Sequence, residues 1–384
     1  MADPSDLKVR GYTRTDVNAR RAAAEEFSGT SLENVSKYCF NSETASKNIE
    51  NMIGATQIPL GYAGPVTIEG DHASGRFLVP LATTEGALLA SISRGMSVAE
   101  ASGGIRTKIF KDAMTRAPVF KVKDLAHSAS VIEWIEMNMD KIEDAVSKTT
   151  SHGKLVDIDP YPAGRTLYLR FSYTTGDAMG MNMATIATEA ASRVIEEGTG
   201  AQLVSVSGNM CSDKKAAAIN VIKGRGKTVV AEALIPKDVV EKKLHTDVGS
   251  VVEVNYRKNL MGSALAGTLG ANAHAANMAA ALYIATGQDP AQVVGASMSF
   301  VSCEDVDGDL YISVRMPAVE VGTVGGGTSL PCQTEALNMI GCHGSGKAGK
   351  LAEVVAATVL AGELSSIAAQ AAGHLGSAHS ALGR

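Results

Sequence analysis

The sequence predicts an α+β fold: a large mixed helical and sheet domain, an inserted ferredoxin-like βαββαβ unit and a small N-terminal helical arm. Three observations predict it. The middle of the chain alternates strand-like and helix-like patterns in the order βαββαβ. β-Prone segments punctuated by glycine and proline stand on both sides of that block, so sheet-forming sequence is not confined to it. Aromatic residues make up only 4% of the chain while glycine and alanine abound, which suits helices packed closely on small residues.

Residues 1–50 read as the arm: RTDVNARRAAAEEF is a good helix former, and SLENVSKYCF opens like a second helix. IPLGYAGPVTIEG and GRFLVPLATT follow as β-prone runs broken by Pro59, Gly61, Gly64 and Pro65. A helix opens at TTEGALLASISRGMSVAEA. Then APVFKV (117–122) reads as a strand and DLAHSASVIEWIEMNMDKIEDAVSK as one long amphipathic helix. KLVDID and RTLYLRFSYTT are two strands, DAMGMNMATIATEAASRVIEE a helix and AQLVSVS a closing strand. The inserted unit therefore covers 115–207, leaving 51–114 and 208–384 to the large domain. That second part reads as a strand (TVVAEALIP), a helix from about 236 and a small-residue helix stopped by Gly287 and Pro290. A hairpin turning at Asp307–Asp309 and two final helices complete it.

Composition excludes several classes of function. Net charge is −5, with no basic block interleaved with aromatics, so nucleic acid is not an expected partner. The N-terminus is polar, and the apolar run Ala273–Ala285 carries His274 and Asn277 and is too short to span a bilayer. No membrane association and a cytoplasmic location are expected. Cys39, Cys211, Cys303, Cys332 and Cys342 are odd in number, scattered and without a CxxC pair, so neither a disulfide framework nor a metal site is expected.

GCHGSGKAG (341–349) contains G-x-G-x-x-G and nearly satisfies the phosphate-loop pattern GxxxxGK. Such a loop needs a strand running into it and a hydroxyl after the lysine. A helix-like TEALNMIG precedes it and Ala348 replaces the hydroxyl, so the segment reads as a plain helix–helix connection. Elsewhere polar residues cluster in apolar surroundings: Glu85 in the first turn of a helix, Asp213, Lys214 and Lys215 after a strand, Asp289 past a helix end, and His374 and His379 near the C-terminus. Each has a plain reading as helix-dipole, turn or surface chemistry. DAMGMN (177–182) reads either as an N-cap with core methionines or as a helix start open to a cofactor phosphate.

ENMIGATQIPLGYAGP, TTEG, DAMGMNM, SGNMCSDKKAAAIN, NAHAANM, GQDPAQ and GTVGGGT together resemble the 3-hydroxy-3-methylglutaryl-CoA (HMG-CoA) reductase family, from about Glu50 to the end of the chain. The resemblance implies reduction of a thioester, HMG-CoA, to mevalonate and CoA by two hydride transfers from NADPH, through a thiohemiacetal and mevaldehyde. It implies Glu85 as proton donor, Lys214 as oxyanion stabiliser, Asp289 as the partner carboxylate and His379 as the acid for the CoA thiolate. Ser207, Asp213, Lys215 and Arg116 match HMG contacts, and Glu50 and Arg94 fall in stretches that resemble HMG-CoA and CoA-phosphate contacts. Asp177, Met179, Gly180, Met181, Asn182, Gly325 and Gly326 match the cofactor contacts. Ser151 stands where an arginine for the NADPH 2′-phosphate is expected, with Lys148, His152 and Lys154 as substitutes and NADH as the alternative cofactor. The resemblance also implies a homo-oligomer, dimer or tetramer, with the active site at a dimer interface. A degradative NAD-dependent relative and a catalytically silent CoA binder are the competing readings. DAMGMN opposes the first, and the presence of Glu85, Lys214, Asp289 and His379 together opposes the second.

Overall fold

The computed structural model describes residues 9–373, in which ten strands join into one sheet. The hairpin of β1 (Leu60–Gly70) and β2 (Ser74–Ala82) alternates buried and exposed residues, as a half-covered sheet requires. β3 (Ile105–Arg116) runs parallel to the end of β1 and antiparallel to β8 (Gly226–Ile235), and β8 pairs in turn with β10 (Asp309–Val319) and β10 with β9 (Phe300–Val306). β8 is nearly all buried, which suits its valine- and alanine-rich sequence to the middle of the sheet.

β3 does not stop at the edge of this arrangement. Its last residues, Met114–Arg116, pair with β6 (Thr166–Thr174). β4 (Val119–Lys121) continues along the same edge of β6, β7 (Gln202–Ser205) lies beyond β4, and β5 (Lys154–Ala163) lies on the other side of β6. β4, two helices, β5, β6, a helix and β7 thus follow one another along the chain. The single long helix expected after β4 is two, α3 (Leu125–Met137) and α4 (Met139–Ser147). Asn138 leaves helical geometry between them and its amide donates back to the Trp134 carbonyl, the local competition that short polar side chains offer to a helix. α5 (Met181–Thr199) is capped at both ends by left-handed glycines, Gly180 and Gly200.

Three apolar clusters form. The largest joins β1, β2, β8, β9 and β10 to α2 (Leu88–Ala101), α8 (Ala275–Thr286) and α10 (Ala348–Ala371). A second lies between β4–β6 and α3–α5. The third is small: Val17, Ala45 and Met52, around α1 (Arg14–Ser28), with Leu330 packed on it. The second helix expected at SLENVSKYCF is absent; Leu32–Lys37 make turn bonds closed partly by serine and asparagine, and the next short helical element is a 3₁₀ turn at Ser42–Lys47. The remaining labelled helices are α6 (Ala218–Lys223), α7 (Val248–Val254) and α9 (Pro331–Met339). The helix expected from about 236 is broken into short α and π segments up to Ala266.

α10 is long and apolar enough, by length and composition, to cross a membrane, but 94% of its apolar window is buried inside the protein. Small residues make that burial possible: a Cβ on Gly95 of α2 would stand 1.8 Å from the Ala361 carbonyl oxygen. Of the buried glutamates of α10, Glu363 accepts through both oxygens, whereas Glu353 accepts through Oε2 alone and its Oε1 has no partner among the described residues. Glu353 accepts from the His72 and Ala73 N–H groups at 2.9 and 2.5 Å, and Glu363 from Ala273 and His274 at 2.6 and 2.8 Å, at the start of α8.

Candidate active site

Most of the residues singled out in the sequence fall into three groups. The first is a charged corner. The Lys214 ammonium lies 2.8 Å from Asp289 Oδ2, and the bond to that carboxylate raises the lysine pKa. Asp289 itself begins the short helical turn Pro290–Gln292, where its Oδ1 accepts from the Ala291 N–H. Lys214 sits at φ +56°, in a run where Asn209 and Ser212 are also left-handed, so the SGNMCSDKK loop is folded back tightly. Lys215 donates to the Asp213 carbonyl, and the Ser207 hydroxyl meets the buried Cys211 sulfur at 3.6 Å. Arg116 is half-buried, and among the described residues its Nε has no partner.

Sequence reasoning missed what holds this corner. Arg225, fully buried at the start of β8, donates to Asp213 Oδ1 at 3.0 Å, Glu320 Oε1 at 2.9 Å and Gln292 Oε1 at 3.2 Å, and its Nη2 touches the Met181 sulfur at 2.7 Å. Gln292 donates to the same Asp213 oxygen at 3.0 Å. One guanidinium therefore links Asp213 of the SGNMCSDKK loop, the turn after Asp289 and the DAMGMN helix. Glu320 is fully buried; burial pushes its pKa up to about 7 although Arg225 pulls the other way. The readable signal was an arginine between two glycines, GRGK, ahead of a strand too apolar to tolerate it unpaired.

The second group lines a cavity of about 500 Å³ that includes Glu85, Arg94, Lys258, His274, Asn277 and, from the last turns of α10, Ser366 and Gln370. Glu85 is exposed and lies before α2, not in its first turn: Gly86 and left-handed Ala87 turn the chain first, and the helix begins at Leu88. The helix dipole expected to act on it is therefore not aligned on its carboxylate. Asn277 donates to Glu85 Oε1 at 3.2 Å, and Glu85 makes no hydrogen bond to Lys214 or Asp289 among the described residues. Arg94 donates to the Ser365 hydroxyl and carbonyl at 3.0 and 2.7 Å, and burial lowers its pKa. Burial also lowers the pKa of Lys258, against the pull of Glu363. Glu50 is exposed and belongs to neither group, and His379 lies outside the described residues.

The third group is the glycine-rich surface around DAMGMN. Gly180, at φ +90°, starts α5 without a side-chain cap; a Cβ there would stand 2.2 Å from Thr175 Cγ2. Gly322 packs on the Met179 N–H, where a Cβ would come within 2.6 Å, and the Thr323 N–H donates to the Asp177 carbonyl at 2.7 Å. Gly325 and Gly326, at φ +73° and +54°, are exposed with open space at the Cβ position, and Asn182 is exposed. The Asp177 carboxylate points elsewhere. It accepts from the N–H groups of Gly346, Lys347 and Ala348 at 2.6, 2.9 and 3.0 Å. Burial would raise its pKa, but these three bonds together lower it. The GSGKAG loop is thus not an idle connection: it binds an anion, and the anion is a side chain of the same protein.

A uncapped helix start beside exposed glycines fits a phosphate-bearing dinucleotide, whose approach side chains would block. Among the described residues no three of His, Cys, Asp and Glu are grouped to hold a metal ion.

Comparison with known proteins shows the family. The profile of the family described as hydroxymethylglutaryl-coenzyme A reductase matches residues 16–384. The chain belongs to the HMG-CoA reductase family. It is 51% identical to the HMG-CoA reductase of Haloferax volcanii, over 99% of this chain and 95% of that protein. It is 50% identical to that of Pyrococcus abyssi over 98% of this chain and 94% of that one. HMG-CoA reductase 1 of Aspergillus fumigatus is 45% identical over 98% of this chain, which corresponds to 35% of the fungal protein. The fold is shared with a class II HMG-CoA reductase from Streptococcus pneumoniae solved with NADPH, at a TM-score of 0.70 and 18% identity, covering 92% of this chain and 96% of that one. Membership makes the protein an oxidoreductase, and the family identity implies reduction of HMG-CoA to mevalonate.

Proposed function

We propose that the protein reduces HMG-CoA to mevalonate and CoA with NADPH, using Glu85, Lys214, Asp289 and His379. The observation that carries this reading is the Lys214–Asp289 pair, set at 2.8 Å in a corner that Arg225 and Gln292 hold through Asp213. Reduction of a thioester creates an oxyanion, and a cation already in place stabilises it without reorganisation. The bond to Asp289 raises the Lys214 pKa further above the ordinary lysine range, so the charge is present before the reaction begins. NADPH supplies hydride, and Gly180, Met181, Asn182, Gly325 and Gly326 are the residues that would hold it. Asp177 and Met179 line the same entry to α5, Asp177 bonding the GSGKAG segment with its carboxylate and Met179 lying against Gly322. Asp213, Lys215, Ser207 and Arg116 hold the HMG portion, and Arg94, beside Ser365, faces the CoA side with Glu50. Residues 115–207 form the cofactor unit, 51–114 and 208–384 the substrate domain, and 1–50 the arm.

Glu85 donates the proton to the carbonyl oxygen, and it reaches Lys214 across a homodimer: the cavity of one copy meets the DKK loop of the other. That Glu85 bonds to Asn277 while Lys214 pairs with Asp289, with no hydrogen bond between the two sets among the described residues, supports this arrangement. His379 protonates the departing CoA thiolate.

The test is oxidation of NADPH and NADH side by side with HMG-CoA, with mevalonate identified as product. Turnover with NADPH in preference to NADH is expected, and absence of turnover with either from folded protein would overturn the assignment. Lys214→Ala should lower kcat by about 10²–10³ or more, the scale for losing an oxyanion stabiliser. Mixing inactive Glu85→Gln and Lys214→Ala chains after subunit exchange should restore about a quarter of wild-type activity, because half the dimers then carry one complete site. No recovery in exchanged dimers would place both residues in the same chain's site.

A further inference from the structure

The five cysteines are not equivalent. Cys211, Cys303 and Cys342 are buried, whereas Cys39 and Cys332 are exposed and face each other with their sulfurs 3.6 Å apart, across 293 residues of sequence. Cys39 belongs to the N-terminal arm; Cys332 is the second residue of α9, after Pro331. Their contact occupies a distinctive place. Among the described residues, the hydrogen bonds of residues 9–57 close within 9–57, with this thiol pair as the exception. The arm's small core takes Leu330 as its packing partner from the rest of the protein, two residues before Cys332. The arm is therefore fastened along one short edge, Leu330 to Cys332, and a weak thiol contact is its polar part.

We propose that Cys39 and Cys332 form a modification site, closed reversibly to a disulfide by low-molecular-weight disulfides, which staples the arm to the start of α9. The exchange balances without another reagent. One cysteine thiolate attacks a sulfur of the small disulfide, forming a mixed disulfide and releasing one small thiol. The second cysteine then attacks the protein sulfur of that mixed disulfide and releases the second thiol. The two protein thiols lose two electrons and two protons, and the small disulfide gains them. The geometry demands little. A disulfide bond is about 2.05 Å long, so the sulfurs close by roughly 1.5 Å, and one partner lies in a turn. The link closes a loop spanning 293 of the 384 residues, and such a link removes open arrangements in which the arm has left the body.

The full-length protein treated with oxidised glutathione at about pH 8.5, where thiolates are abundant, tests this. Unreduced digestion and mass spectrometry should find Cys39 joined to Cys332, with Cys211, Cys303 and Cys342 free. Tryptic cleavage at Lys37 should slow about tenfold on oxidation, because cleavage follows the open population, and dithiothreitol should restore it. Cys39→Ser and Cys332→Ser should each carry one glutathione on the remaining cysteine and show no protection. Both positions are exposed, so serine spares the packing, and unchanged circular dichroism verifies that. Glutathione on both cysteines of the wild-type chain without a link, a link between two copies, or five free thiols after treatment would each overturn the proposal.

Discussion

Two helix starts in this molecule have the chemistry of anion sites, and they are used in opposite ways. α10 begins at Ala348, within the glycine-rich GSGKAG segment, and the N–H groups of Gly346, Lys347 and Ala348 that lead into it are filled by the Asp177 carboxylate. α5 begins four residues after that same Asp177, at Met181, behind an N-cap glycine, Gly180, that offers no side-chain cap. The first looks like a nucleotide loop and is closed by the protein itself; the second lacks the familiar glycine spacing and stands open. A glycine-rich helix start reveals that an anion can be bound there. It does not reveal which anion, because an aspartate 170 residues away meets the same N–H groups that a phosphate would.

The comparison breaks most readily at Asp177. Asp177→Ala should cost about 1–2 kcal/mol, discounted for partial exposure from the value of several charge-assisted bonds, read by urea unfolding. Sulfate at millimolar concentration should recover part of that loss, because the vacated loop becomes an anion site. No effect of sulfate would mean that the loop collapses without its aspartate. The pH dependence has a definite sign. The Asp177 pKa is lowered on folding, so its contribution is present above the unfolded value of 3.8 and is lost as pH falls through the folded one. The alanine variant should therefore lose some of the wild type's acid sensitivity below about pH 4.

Gly180→Ala sharpens the other side. The left-handed φ of +90° and the Thr175 methyl 2.2 Å from the new Cβ should together cost about 1 kcal/mol or somewhat more and raise the KM for NADPH with a smaller change in that for HMG-CoA. Equal changes in both would place α5's start away from the cofactor. Lys347→Ala should do least. Only its backbone N–H serves the clasp, so stability should stay within about 0.5 kcal/mol and kcat near wild type.

Strand and helix periodicity carried the α+β class and most elements, because each depends on residues close in sequence. The failures have a common origin in distance or in single dihedrals. TTEGALLAS has the composition of a helix, and nothing local announces that Ala87 turns left-handed and leaves Glu85 outside it. The break at Asn138 was hidden in the same way inside a continuous amphipathic pattern. The motif residues were visible as types, but their supports were not. Arg225 bridges Asp213, Glu320 and Met181 across 12, 95 and 44 residues, and no periodicity spans such intervals.

β3 gives the architecture a property that a list of domains would hide. One strand is laddered to β1 and β8 along most of its length and to β6 at its end, so two hydrophobic cores share a piece of covalent backbone and its hydrogen bonds. Neither core can melt fully without tearing part of the other's sheet. Such a shared beam makes denaturation of the two a single event, and it leaves bending or twisting of the sheet, rather than rotation about a loose tether, as the way one can move against the other.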